Sequence, residues 1–135
     1  MPQMIFVNLV VESAAKATEF YTGLGFTKNE QFSDANTSSI VISDTIVLML
    51  LEHEKMAGFT TRPIADTRAG VWGSVALSAE SREQVDELAD KALALGASPN
   101  KEPMDMGFMY GRNFFDLDGH LIELVWMDPA AIAAG

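Results

Sequence analysis

"MIFVNLVVESAAKATEFYTGLGF", residues 4–26, runs a strand pattern straight into a helix pattern. Residues 4–11 are dense in β-branched and aromatic side chains, which predicts a strand. Ser13 has the position and chemistry of an N-cap. Ala14, Ala17, Phe20, Tyr21 and Leu24 then recur at helical spacing on one stripe, and Gly25 stands where such a helix ends. Working outward, strands are expected at Phe26–Phe32, Thr37–Ser43 and Thr45–Glu52, with Ser43-Asp44 as a tight turn. The order is βαβββ.

A looser stretch, His53–Gly70, holds Gly58, Pro63 and Gly70 and reads as a linker. The pattern then begins again. Val71–Ser78 is strand-like, and Ser81 with Gln84 forms a capping-box pair. Val85, Leu88, Ala89, Ala92 and Leu95 make a helical stripe that Gly96 stops. Strands follow near Ser98–Pro103, at Gly107–Phe115 and at His120–Met127. An offset of 68 carries Glu12-Ser13 onto Glu80-Ser81 and Phe6 onto Ser74, and an offset of 74 carries Met49 onto Glu123. Such self-similarity predicts a duplicated architecture. The expected fold is α+β: two βαβββ modules forming a curved, mixed, mostly antiparallel sheet around a cleft. The chain reads as a single domain built of a first module at 1–57, a linker at 58–70 and a second module at 71–128.

Composition narrows the function. Hydrophobic residues make up 48% of the 135, enough for a packed interior. Cysteine is absent, which excludes disulfides, thiolate metal sites and a cysteine nucleophile and is compatible with a reducing cytoplasm. The first residues carry neither a basic leader nor a small-residue cleavage site, so no signal peptide is expected. The net charge of −10 argues against nucleic acid and anionic membranes as partners. It would attract cationic small molecules at low salt.

Two segments, FYTGLGF (20–26) and DLDGHLIEL (116–124), resemble the vicinal oxygen chelate superfamily of glyoxalase I, extradiol dioxygenases and bleomycin- and fosfomycin-resistance proteins. The family writes the second as D-P-D-G-x-x-x-E-L, and Leu117 replaces the proline. The resemblance covers roughly residues 4–127. It is nearest to glyoxalase-like proteins with a G-F-M-Y-G-R segment, here 107–112. It implies the fold already expected, a homodimer, and a metal site fed by two strands from each half. Those four positions here are Phe6, Met49, Ser74 and Glu123.

Of these, only Glu123 is a strong ligand. Phenylalanine cannot ligate, a thioether is poor for hard or borderline ions, and a serine hydroxyl is a weak neutral donor. Zinc needs three or four protein donors. No metal cofactor is therefore expected, although a divalent ion stays possible through Asn8 or the Glu52-His53-Glu54 tripeptide. A calcium loop fails, because its first and twelfth positions would be Phe114 and Val125. Asp116 and Asp118 read instead as a turn closed by Gly119, and His120 as structural. Glu123, mid-strand among apolar residues, is the candidate catalytic group. Desolvation favours its protonated form and would poise it as a general base.

The metal-free cleft would have Phe6, Met49, Trp72, Met109 and Tyr110 as apolar walls, with Asn8, Ser74, Arg112 and Glu123 as its polar groups. Parity sets Tyr110 and Arg112 on one face and Gly111 and Asn113 on the other, without saying which face lines the cleft. Arg112 could neutralise Glu123 or grip an anion. Three functions stay open: a binder of a small organic molecule, a divalent-metal-dependent lyase, isomerase or dioxygenase, and a dimer with a vestigial cleft.

Overall fold

A computed structural model describes residues 2–134 of the chain. The chain divides into two compact units, Met1–Asp66 and Thr67–Gly135. Each carries one helix-backed module.

The first unit comprises β1 (Ile5–Val11), α1 (Ala14–Gly23), β2 (Thr27–Lys28), β3 (Thr37–Val41), β4 (Ile46–Glu52) and the short α2 (His53–Ala57). Its sheet order is β1-β4-β3-β2, with β1 parallel to β4 and the other pairs antiparallel. Ser13 Oγ accepts the Lys16 amide at 3.1 Å, as an N-cap should. The stripe Ala14, Ala17, Phe20, Tyr21 and Leu24 is buried, as its spacing predicts. One bond comes from outside the helix: the Glu52 carboxylate at the end of β4 accepts the Ala14 amide at 2.8 Å. The strand expected at Phe26–Phe32 stops at Lys28. Asn29 turns its side chain onto the Gln31 amide and starts a short 3-10 turn, Glu30–Phe32. Local side-chain bonding has outcompeted the ladder there.

The second unit comprises β5 (Ser74–Ser78), α3 (Arg82–Ala94), β6 (Ser98–Pro99), β7 (Met104–Asp105), β8 (Met109–Phe115), β9 (Leu121–Met127) and α4 (Pro129–Ala134). The order is β5-β9-β8-β6, with β7 also on β8; β5 runs parallel to β9 and the rest are antiparallel. The single strand expected at Ser98–Pro103 is two short ones, since Pro99 and Pro103 lack the N–H a continuous ladder needs. Ser81 caps α3 through the Gln84 amide at 3.0 Å, and the Gln84 side chain reaches back to the Glu80 amide at 2.7 Å. Val85, Ala89 and Ala92 of α3 are buried, as are Leu77, Phe114, Ile122 and Leu124 of the sheet.

The duplication is visible in the registers. Phe6 pairs with Val47 and Asn8 with Met49 in the first sheet. Ser74 pairs with Leu121 and Ala76 with Glu123 in the second. Offsets of 68 on the first member and 74 on the second carry one set onto the other.

Candidate functional site

Each sheet has one face covered by its helix and one free of it. On the helix-free face of the second sheet, cross-strand partners line up in rungs, because paired residues project to the same side. One rung is Ser98, Phe115, Leu121 and Ser74; the next is Asn113, Glu123 and Ala76. Ser74 Oγ donates to Glu123 Oε2 at 2.6 Å, bridging the two rungs. Glu123 is half-buried and Ser74 exposed. Asn113 Oδ1 accepts the Lys101 amide at 3.0 Å. Asn113 is a neighbour of Glu123 that the sequence reading did not single out. The signal was present: once the Asp116–His120 turn fixes Phe115 opposite Leu121, Asn113 must oppose Glu123.

That turn is built as its residues predict. Asp116 Oδ1 accepts the amides of Asp118 at 2.9 Å and His120 at 3.0 Å, and Gly119 holds φ at +86°. Across it lies a strap, Thr67–Gly73. Thr67 Oγ1 donates to the Asp118 carbonyl, and Arg68 Nη2 donates to the Leu117 carbonyl at 2.8 Å. Trp72 Nε1 donates to Nδ1 of the buried His120 at 3.0 Å, edge-on to its ring. His120 is thus a hydrogen-bonded structural residue. The strap keeps Val71–Gly73 out of the sheet, so the strand expected from Val71 begins at Ser74. Between strap and turn lies a recess of about 440 Å³ lined by Thr67, Gly70, Val71, Ser98, Phe115 and Gly119, among others. Ser98 and Phe115 belong to the Ser74 rung but stand at its opposite end, and neither Ser74 nor Glu123 lines the recess.

Tyr110 and Arg112 do not join that group, which corrects the expected constellation. They alternate with Gly111 and Asn113 and stand on the face that α3 covers. Tyr110 Oη donates to Asp86 at 2.6 Å. Arg112 Nη1 meets Asp86 at 3.2 Å and Asp90 at 2.8 Å. Asp86 and Asp90 lie one helical turn apart, so both carboxylates reach the same guanidinium. Arg112 therefore does not neutralise Glu123. The Tyr110 bond, aided by Arg112, holds the Asp86 carboxyl below its ordinary range, and the same bond pushes the Tyr110 phenol up. Arg82 extends the network. It grips Asp105 with two bonds of 2.7 and 2.9 Å and lies over the rings of Tyr110 and Trp126.

In the first unit, Phe6, Asn8 and Met49 share the helix-free face, with Asn8 opposite Met49 and Ser39 beyond it. Phe6 is 58% exposed and Asn8 is exposed. The Glu52-His53-Glu54 tripeptide does not converge: Glu52 turns to α1, while His53 and Glu54 open α2 and face solvent.

The sequence matches the family model described as the Glyoxalase/Bleomycin resistance protein/Dioxygenase superfamily over residues 3–124. The chain belongs to this superfamily. Its fold agrees with that of several solved structures. The hypothetical protein SA1046 from S. aureus is 26% identical, with TM-score 0.78, covering 93% of this chain and 94% of that one. A glyoxalase/bleomycin resistance protein/dioxygenase family enzyme from Burkholderia phytofirmans is 18% identical, with TM-score 0.76 and coverage of 93% and 99%. The fosfomycin resistance protein FosX from Listeria monocytogenes is 20% identical, with TM-score 0.68 and coverage of 96% and 97%. No curated protein matches the chain. Among the described residues no helix is long and apolar enough to cross a membrane.

The superfamily resemblance implies a divalent metal, and the donors present do not fit one. On the second sheet's free face Glu123 is joined by a serine hydroxyl, and its direct neighbours are Ala76 and Asn113, whose amide oxygen is already engaged. The corresponding positions of the first sheet, Phe6 and Met49, offer a ring and a thioether. One carboxylate does not make a transition-metal shell.

Proposed function

We propose that this protein binds a small organic molecule on the helix-free face of its second sheet, around Ser74 and Glu123, with no resident transition metal. The observation that carries this reading is the Ser74–Glu123 pair, a half-buried carboxylate on the same helix-free face as Phe115, Leu121 and Val125. Ligand sites combine apolar walls with a few oriented polar groups. Here Phe115, Leu121 and Val125 supply the walls, and Glu123, Asn113 and Ser74 supply the polar atoms. The protein acts as a homodimer in the cytoplasm; exposed apolar side chains such as Met104, Met106 and Phe108 support the dimer, and a chain without cysteine is compatible with a reducing compartment.

A small-molecule screen by thermal shift tests the proposal, with hits mapped by amide NMR. The expected result is a ligand that raises the melting temperature and moves the amides of Ala76, Asn113, Phe115 and Glu123. Metal analysis of the purified protein runs alongside. A stoichiometric, chelator-resistant zinc, manganese, iron or nickel ion would refute the metal-free reading and return the protein to the metal-dependent lyases, isomerases or dioxygenases.

A further inference from the structure

Among the described residues of the second unit, no ion pair reaches the Glu123 carboxylate. Its one partner among the described residues is Ser74 Oγ, on Oε2. The cations of the second unit are committed elsewhere or distant from it in the fold. Arg68 bonds the Leu117 carbonyl and lies 3.6 Å from Asp118. Arg82 holds Asp105, and Arg112 holds Asp86 and Asp90 on the opposite face. Lys91 is on α3. Lys101 places its backbone amide on Asn113, and no ion pair joins it to Glu123. Across and along the strands Glu123 meets Ala76, Asn113, Leu121 and Val125. A half-buried anion in such surroundings gains most from a charged donor, because each hydrogen bond to an ionised group is stronger than a neutral one.

We infer that Glu123 receives the cationic group of a small hydrocarbon ligand, a protonated primary amine being its simplest form. The inference rests on the small-molecule reading above. Ser74 takes one acceptor site of Oε2 and leaves Oε1 open to the cation. The apolar wall of Phe115 and Leu121 takes the hydrocarbon part. The net charge of −10 raises the local concentration of such a cation at low salt.

Amide NMR titration of the full chain with benzylamine, benzyl alcohol and benzoate tests this, with zinc as a fourth probe. Benzylamine, protonated at neutral pH, is expected to move the amides of Ala76, Asn113 and Glu123 saturably, more tightly than benzyl alcohol, and benzoate is expected not to bind. Glu123→Gln should weaken benzylamine by about tenfold or more. Ser74→Ala keeps the charge, and should weaken it less. Spectra of both variants away from the site should superpose on the parent, which guards against misfolding. Equal binding of benzyl alcohol, or an unchanged affinity in Glu123→Gln, overturns the ammonium inference and leaves the small-molecule reading standing. Failure of all three organic probes to touch this face overturns both. Stoichiometric zinc that moves the same amides and displaces benzylamine overturns the inference in favour of a metal.

Discussion

Gly119 and Gly107 provide a matched pair of substitutions. Both hold positive φ, +86° and +80°. An added methyl group at Gly107 would meet nothing within 4 Å, while at Gly119 it would lie 2.5 Å from the Thr67 carbonyl oxygen and 3.2 Å from the Arg68 Cα. Gly107→Ala therefore bears only the backbone term, about 1–2 kcal/mol for an L-residue forced left-handed. Gly119→Ala bears that term and must also push the strap away. The strap is held by the Thr67 bond to the Asp118 carbonyl and the Arg68 bond to the Leu117 carbonyl, each worth about 0.5–1.5 kcal/mol net. The total for Gly119→Ala is about 2–5 kcal/mol. Urea denaturation of both variants measures the difference. Tryptophan fluorescence should also change in Gly119→Ala, because Trp72 leaves His120 when the strap lifts. Equal destabilisation by the two substitutions, with unchanged Trp72 emission, would refute the seating of the strap on the turn.

Two further outcomes follow from the same structure. The Arg82 bonds, helped by the Gly107 amide, hold the Asp105 carboxyl down from its ordinary 3.8 to about 2. Because the folded value is the lower one, the stabilisation is complete above pH ~4 and is lost as pH falls through about 2; carboxyl NMR titration should give that midpoint, and Arg82→Gln should return it towards the ordinary value. Glu52→Ala removes the acceptor for the first amide of α1 and should cost about 1 kcal/mol in urea denaturation, as loss of a helix cap does; a stability indistinguishable from the parent would show that water replaces the carboxylate there.

The elements and their order were readable from the sequence alone because they depend on neighbours along the chain. The stripe Ala14–Leu24, the caps Ser13 and Ser81 and the turn Asp116–Gly119 rest on local spacing and local hydrogen bonds, and each stands where the residues put it. The duplication was equally legible, since its two offsets reappear as two sheet registers. Two of the strands fell short for local reasons that could have been read, Asn29 in one and Pro99 and Pro103 in the other, whereas Val71–Gly73 is held off the sheet by long-range bonds of the strap. What the tertiary structure alone decided was the side on which each alternating residue lies relative to its helix. Parity groups Tyr110 with Arg112 and separates both from Asn113, but it carries no sign. The sign came from α3, whose Asp86 and Asp90 draw Tyr110 and Arg112 to the covered face. That choice leaves Glu123 with Ser74 on the other. A long-range ion pair depends on how two distant segments pack, and no spacing within either segment encodes it.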